Sequence, residues 1–185
     1  FEDTCDTHKG NSLIKVNPLD KSTLTHIQYK SATGAIYSDD DGETWSDRRI
    51  LFNKPIDAKN IMSFSFIRMN NGDIGAFYII KNADGTDQIV ISRSSDDGVS
   101  WSEPINCLEC LDDQDYYVIN NDRVLRLKNG RIIFAVARHT IHIPGHDFTP
   151  GVICFFISDD DGKTWYKTET EFPCPFNNPD GHEEP

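Results

Sequence analysis

The sequence lacks the features of a membrane or nucleic-acid-binding protein. No apolar run approaches the roughly 20 residues that cross a bilayer as a helix, and no amphipathic helix of usable length is present. Basic residues are few: 18 Lys and Arg stand against 30 Asp and Glu, which gives a formal charge of −12. This balance argues against binding to nucleic acid or to an anionic membrane surface. No signal peptide is visible, and the chain begins at Phe1, which indicates processing or a boundary within a longer protein.

A complete disulfide framework is also absent, because the five cysteines are odd in number. Cys107 and Cys110 have the C-x-x-C spacing of a metal site, but no second pair accompanies them. A single pair of this kind is more often two free thiols than a zinc site. We therefore expect neither a disulfide scaffold nor a structural metal.

One eight-residue pattern occurs three times. It spans residues 38–45, 94–101 and 158–165 and reads S-x-D-x-G-x-[T/S]-W. The glycine supplies a positive φ, the Asp and hydroxyl side chains can accept hydrogen bonds from N–H groups of the turn, and the Trp buries a large apolar surface. The pattern therefore predicts three β-hairpin turns anchored by buried tryptophans, although three unrelated hairpins would give a similar local signal.

The pattern resembles the Asp-box, also called the BNR repeat, of sialidases and related β-propellers. Its copies are 56 residues apart from Gly42 to Gly98 and 64 apart from Gly98 to Gly162, a period that fits four-stranded propeller blades. The resemblance implies an all-β fold of antiparallel four-stranded blades from a six-bladed propeller. The structural residues that it implies are Asp40, Gly42, Trp45, Asp96, Gly98, Trp101, Asp160, Gly162 and Trp165.

Three repeats use the whole chain of 185 residues, whereas closed propellers usually have about four to eight blades. We therefore expect about three blades, with approximate bounds 11–58, 59–115 and 116–176, and residues 177–185 leading into a further blade. The remaining half of the propeller, or another chain, would be needed to close the ring.

The strand pattern within a repeat locates the functional end of a blade. In the second repeat, residues 61–69 and 74–80 predict two strands joined by a turn at 70–73, and residues 122–127 and 131–137 repeat this plan. The first strand of a blade is innermost. Its start, and the end of the second strand, should therefore lie near the propeller axis, at the end opposite to the Asp-boxes.

Polar residues stand at both of those places. The run Y-Y-V-I-N-N-D-R occupies residues 116–123, Arg138 and His139 end the next strand, and Lys81 ends the corresponding strand of the second repeat. Polar groups buried near the propeller axis reduce stability unless they form hydrogen bonds with the protein or with a ligand. They either bind a ligand or only close the blade through ion pairs and turn caps.

The same run is similar to a stretch of bacterial exo-sialidases, in which a Glu-Pro pair precedes a later inner strand, as Glu184 and Pro185 do here. The resemblance covers residues 11–185 and implies a sialidase-like glycoside hydrolase of terminal acidic sugars, secreted or periplasmic. The candidate catalytic residues are Asp122 and Glu184, and the candidate substrate-binding residues are Asn121, Arg123, Arg138, His139 and Lys81.

The chain departs from the sialidase pattern in one respect. Sialidases use three arginines for the substrate carboxylate and a Tyr–Glu pair as nucleophile, an exception to the two-carboxylate scheme. Only Arg123 and Arg138 are candidate carboxylate binders here, and no Arg-Ile-Pro segment is present. The rest of the catalytic set would lie outside this sequence.

A group of histidines forms a second constellation. His139, His142 and His146, with Asp147, lie in one loop and have the residue types of a zinc site. No helix fixes their spacing, so we expect hydrogen bonding to sugar hydroxyls, with no metal and no cofactor.

Three functions stay open at the sequence level. The first is a sialidase-like hydrolase, the second a non-catalytic glycan-binding or interaction propeller, and the third an enzyme for another acidic sugar. Asp-boxes do not separate them, because they belong to the scaffold and a fold does not fix a function.

Overall fold

Three antiparallel sheets follow one another along the chain in a computed structural model that describes residues 13–15, 23–28, 32–83, 86–112, 115–140 and 150–174. Within these residues no helix occurs, and therefore none long and apolar enough to cross a membrane. The all-β prediction is confirmed. The arm at residues 1–10, most of the loop after His139, and Glu184 lie outside the described residues.

Each sheet is one blade. Blade 1 contains β1 to β4, blade 2 contains β5 to β8, and blade 3 contains β9 to β14. In blade 3 the innermost line is split into β9 and β10, and the outermost line into β13 and β14. The strands are β1 Leu13–Lys15, β2 Thr23–Gln28, β3 Ala32–Ser38, β4 Arg49–Asn53, β5 Ala58–Arg68, β6 Ile74–Asn82, β7 Asp87–Ser94, β8 Ile105–Asn106, β9 Tyr116–Val118, β10 Val124–Arg126, β11 Ile132–His139, β12 Val152–Ser158, β13 Tyr166–Lys167 and β14 Phe172–Pro173.

The first strands of successive blades lie side by side. β5 contacts both β1 and β10, as expected for strands that converge on a propeller axis. The second strand of blade 2 is buried on both faces over Ile74 to Ile80, as its continuous apolar run predicts. The order of strands in each sheet is therefore the antiparallel order expected for a blade.

The main core fills the space between blades 2 and 3. Phe77 of blade 2 meets Phe134 and Trp165 of blade 3, with ring centroids 6.2 and 5.8 Å away. Phe134 also stacks on Phe156 at 5.3 Å. This continuous apolar contact stabilises the two blades as one unit.

Every Asp-box makes the same four hydrogen bonds. In the first, Ser38 Oγ donates to Asp40 Oδ1 at 2.8 Å and accepts from the Gly42 amide at 2.8 Å. The amide and hydroxyl of Thr44 both donate to the Asp40 carboxylate, at 2.8 and 2.6 Å. The second and third boxes repeat these bonds at 2.5–2.9 Å. The Thr or Ser hydroxyl near the end of the box thus donates to the carboxylate, whereas the sequence suggested that it accepts from the turn.

The backbone of each box holds two successive residues at positive φ. The glycines have φ of 82–91°, as the pattern predicts, and the residue before each has φ of 56–63°. That residue is Asp in all three boxes, one of the few non-glycine types that tolerate this region. The sequence pattern alone did not indicate this second left-handed residue.

The three box tryptophans differ in burial, contrary to the prediction that all are anchored alike. Trp165 is 7% exposed, Trp101 is half-buried, and Trp45 is 40% exposed. Trp165 packs on Phe77 of blade 2 and Phe134 of blade 3, and Trp101 packs on Phe52 of blade 1 and Phe66 of blade 2, at 5.1 and 6.1 Å. Both rings thus lie between phenylalanines of two neighbouring blades, and these contacts do not explain the difference in burial.

A charged cluster joins blade 2 to the box of blade 3. We call Arg93, Arg126 and Asp161 the inter-blade clamp. Asp161 accepts from Arg126 Nη2 at 2.5 Å, from the Asn70 amide at 3.2 Å and from Arg93 Nη1 at 3.4 Å. Arg126 Nε also donates to the Arg68 carbonyl at 3.0 Å. The hairpin turn of blade 2 therefore lies at the same end as the Asp-box of blade 3, as the antiparallel order predicts.

Candidate functional site

At the opposite end of the blades, Lys81 of blade 2 reaches across to blade 3. Its Nζ donates to the Tyr116 hydroxyl at 2.7 Å and lies 5.2 Å from the centroid of the same ring. The Asp87 carboxylate is 3.9 Å from Nζ. Lys81 is therefore held at the edge between two blades by a hydrogen bond, a cation–π contact and a long ion pair.

His139 lies beside the same tyrosine. It is the register partner of Tyr116 in the pairing of β9 with β11, and the two ring centroids are 5.9 Å apart. His139 is almost fully buried. The structure thus brings together two predicted residues, Lys81 and His139, through Tyr116, which the predicted set left out although it begins the same polar run.

A break in the innermost strand of blade 3 holds three more of the predicted residues. Residues 119–123 leave the sheet between β9 and β10, and Asp122 has a φ of 57°. The sequence predicted a continuous strand over 122–127, and this is wrong for its first two residues. The reason is that the backbone bonds sideways to blade 2: the Asp122 amide donates to the Phe64 carbonyl, and the Arg123 amide to Ser65 Oγ, both at 3.0 Å.

Blade 2 has a smaller irregularity at the corresponding place. The register of β5 shifts between Met62 and Ser65, and Ser63 has a φ of 61°. Two neighbouring inner strands are therefore distorted at the same height. Positive φ at non-glycine residues and broken pairing are typical of sites where the backbone is shaped for a ligand.

Asn121 presents a buried acceptor within the break. Its Oδ1 is buried and has no hydrogen-bond partner in the part of the chain that the structure describes. The Arg123 guanidinium donates to the Asn121 carbonyl at 3.3 Å, and the side chains of Asp122 and Arg123 are exposed. A buried polar atom without a partner is costly, so Asn121 is a candidate for contact with a ligand.

Arg138 occupies a different environment. Its Nη1 donates to Asp115 at 2.8 Å, and its Nε and Nη2 donate to Glu171 at 3.0 and 2.6 Å. The Glu171 hydrogen bonds, with those of Asp115, raise the pKa of Arg138 above its ordinary value. Because two carboxylates already neutralise this guanidinium, the geometry argues against the predicted role of Arg138 in binding a substrate carboxylate.

Other predicted groups fall partly outside the described residues. Glu184, His142 and His146 are among those that the structure leaves undescribed. Within the described ranges no group of three or more His, Cys, Asp or Glu side chains could hold a metal ion. Cys107 is a buried free thiol, and its burial raises its pKa well above the ordinary value, which disfavours the thiolate.

Comparison with solved structures shows the fold. A microbial sialidase, Hadza Hz136, matches with a TM-score of 0.63 at 18% identity, over 88% of this chain and 38% of that chain. The NanB sialidase of Streptococcus pneumoniae matches with a TM-score of 0.64 at 14% identity, over 96% and 46%. The α-L-arabinanase of Penicillium chrysogenum matches with a TM-score of 0.63 at 15% identity, over 96% and 60%.

The chain thus spans about two-fifths to three-fifths of the length of these three proteins. At such identities the matches establish three blades of the propeller type and not an activity. The family model of the BNR repeat-like domain matches residues 35–178, which include all three Asp-boxes. The chain therefore belongs to the BNR repeat-like domain family.

Proposed function

We propose that the protein is a sialidase-like glycoside hydrolase of terminal acidic sugars, and that its site lies at the axial end opposite to the Asp-boxes. The observation that carries the proposal is the break at residues 119–123, where a buried acceptor without a partner stands beside an exposed guanidinium. Membership in the BNR repeat family and the likeness in fold to two sialidases support it.

Each residue has a separate task in this proposal. Arg123 meets the sugar carboxylate, because a planar guanidinium can donate two parallel hydrogen bonds to it. Asn121 Oδ1 accepts from an N–H or hydroxyl of the sugar. Lys81 and His139, linked by Tyr116, bind further hydroxyls.

Asp122 is the proposed acid/base. Its amide is fixed to Phe64 while its side chain stays exposed, so the carboxyl group can reach a glycosidic oxygen without a change in the backbone. Glu184 would enter from the next blade and orient the catalytic group or accept from a hydroxyl. Arg123 and Lys81 can attract an anionic sugar although the whole chain has a formal charge of −12. Salt limits the reach of distant charges to about 10 Å, so the nearby cations dominate.

Ring closure is part of the proposal. We propose blade bounds of 11–58, 59–115 and 116–176, with residues 177–185 leading onward, and completion of the ring by the other half of the propeller or by another chain. The short span relative to the three solved structures supports this. Activity is therefore expected in the protein with its ring complete.

The test is hydrolysis of a fluorogenic N-acetylneuraminide by the intact protein and by Arg123→Ala. Loss of a charged hydrogen-bond partner is expected to lower kcat/KM by about 10- to 100-fold. The matched control is Arg131→Ala, since Arg131 pairs with Asp159 at the Asp-box end, and it should hydrolyse the sialoside like the wild type. Full activity in Arg123→Ala, with the same melting temperature, would refute the assignment.

The second candidate is a glycan-binding propeller without hydrolytic activity. The pairing of Arg138 with Asp115 and Glu171 favours this candidate. It removes one of the two arginines that were predicted to bind a substrate carboxylate. Saturable binding of a sialoside that Arg123→Ala weakens, without hydrolysis by the wild type, would favour this reading. The third candidate is an enzyme for an acidic sugar other than sialic acid, which a fluorogenic uronide would test in the same assay.

A further inference from the structure

A cavity lies between blades 1 and 2, and none of residues 119–123 lines it. Its volume is about 400 Å³, within the usual size of small-molecule sites. Aromatic side chains from both blades form much of its wall: Phe52 from blade 1, and Tyr78 and Trp101 from blade 2. Ser92 lies in the wall, and Ser100, Ser102 and Glu103 line it near the second Asp-box.

Blades 2 and 3 differ in the size of the side chains at one pair of positions. In blade 3, the cross-strand partners Phe134 and Phe156 fill the space in front of Trp165. Blade 2 has Ala76 and Ser92 at the equivalent positions. These positions lie two residues into the second strand and two residues before the Asp-box serine. Phe66, the strand partner of Ala76, packs on Trp101 in place of the missing ring, and Ser92 stands in the wall of the cavity.

The cavity is polar at one point and apolar around it. The Tyr78 hydroxyl and Ser92 Oγ form a buried hydrogen bond of 3.1 Å. Burial raises the pKa of Tyr78, and the nearby charge of Glu103 contributes to that rise. A hydroxyl pair, a carboxylate and aromatic faces are thus gathered around one space.

Trp101 contributes its half-buried ring to the wall of the cavity. Its Nε1 is buried and has no hydrogen-bond partner among the described residues, and it lies out of reach of a ligand oxygen. The ring of Trp165, by contrast, is closed in by Phe77 and Phe134. Trp101 therefore offers an aromatic face to a ligand.

We propose that this cavity is a second carbohydrate site, which binds one neutral pyranose unit. A pyranose has an apolar C–H face for the aromatic wall and hydroxyls that both donate and accept. Its hydroxyls would donate to the exposed Glu103 carboxylate, and its C–H face would pack on the rings of Phe52 and Trp101. An acidic sugar is disfavoured, because its carboxylate would approach that of Glu103.

This proposal does not depend on the activity proposed for the break at residues 119–123. It would anchor a glycan at the outer edge between two blades. Its ligand also differs in charge from that of the axial site, so the two proposals can fail separately.

The experiment uses the whole chain labelled with 5-fluorotryptophan, which gives one ¹⁹F resonance for each of the three tryptophans. The probes are the methyl glycosides of glucose, galactose and mannose, and N-acetylglucosamine. We expect at least one of them to shift the Trp101 resonance saturably in the millimolar range and to leave that of Trp165 unchanged. The Trp101 resonance is assigned from Trp101→Phe.

Two variants decide the outcome. Ser92→Phe places the ring of Phe156 at the equivalent position and should abolish the shift in a protein that still melts cooperatively. Glu103→Gln lies on an exposed residue, keeps the fold and should weaken the affinity several-fold, whereas Glu109→Gln, on another exposed residue, should not change it. If Ser92→Phe fails to fold, the comparison of Glu103→Gln with Glu109→Gln decides alone.

Three results would overturn the proposal. The first is the absence of a saturable Trp101 shift with all four neutral sugars. The second is an unchanged affinity in Glu103→Gln or an unchanged shift in folded Ser92→Phe. The third is an equal shift with N-acetylneuraminic acid, which would contradict the preference for a neutral ring.

Discussion

The end of the blades that carries the Asp-boxes repeats the same residues from blade to blade, whereas the opposite end does not. At the box end, all three blades form the same four hydrogen bonds from the same residue types. At the opposite end, blade 2 has Ile80 and Lys81 in its second strand, whereas blade 3 has Arg138 and His139 at the corresponding positions. Repetition therefore marks the scaffold, and departures from repetition mark the candidate site.

The largest effect of a single change on stability is expected at the inter-blade clamp. Arg126→Met removes hydrogen bonds to Asp161, Asn70 and two carbonyls. Among the described contacts, the Asp161 carboxylate, whose side chain is 15% exposed, then keeps its long contact with Arg93 and the bond from the Asn70 amide. The free energy of unfolding should fall by about 2–3 kcal/mol, measured by urea unfolding with tryptophan fluorescence.

The control for the clamp is the matched arginine at the other end. Arg123→Met changes an exposed side chain and should alter the free energy of unfolding by less than about 0.5 kcal/mol. Equal losses in the two variants would remove the distinction between a scaffold end and a functional end.

A smaller loss is expected inside the second Asp-box. Ser94→Ala leaves the buried Gly98 amide without its acceptor, which lies at 2.7 Å in the protein, and this should cost about 1–2 kcal/mol in unfolding free energy. Ser100→Ala is the paired control, because Asp96 keeps its bonds from the Ser100 amide and from Ser94. A loss in Ser100→Ala as large as that in Ser94→Ala would show that the inner hydroxyl has no special role.

The smallest effect concerns acid. The Thr44 hydroxyl and amide, with Ser38, hold the pKa of Asp40 at about 2, below its ordinary value of 3.8. Ser100 and Ser94 do the same for Asp96. At Asp160, burial opposes the shift, but the bonds from Thr164 and Ser158 outweigh it and leave a pKa of about 2.

A carboxyl group with a depressed pKa stabilises the folded state above its unfolded pKa and loses that contribution as the pH falls through its folded pKa. The urea midpoint should therefore fall between about pH 4 and pH 2, the window set by these values. In Asp96→Asn the midpoint should be lower near neutral pH and fall less steeply in that window. Identical slopes in the two proteins would contradict a role for this carboxylate.

The repeated part of the molecule was predictable from the sequence, because each turn is specified by residues within eight positions of one another. The burial of the tryptophans was not, since the ring of Trp165 is enclosed by residues of two blades that lie far apart in sequence. Tyr116 was present in a recognised polar run, but its contact with Lys81 depends on the packing of neighbouring blades.

The pairing of Arg138 escaped sequence reasoning for a similar reason. Asp115 and Glu171 stand 23 and 33 residues away, and no local pattern joins them to a strand end. The break at residues 119–123 was missed in part because Asp122 and Arg123 were assigned to the strand that contains β10. Inner strands that bond sideways to another blade cannot be distinguished by periodicity from strands that stay in their own sheet.

The contacts between blades run in one direction along the chain, and this affects how the chain folds during synthesis. The box of blade 3 holds blade 2 through Asp161, and the box of blade 2 holds blade 1, since Arg49 donates to the Gly98 carbonyl at 3.0 Å. Each blade therefore receives contacts from the blade that follows it. Because chains fold from the N-terminus as they leave the ribosome, and repeats are stabilised by their nearest neighbours, a blade reaches its full stability only after its successor has been translated.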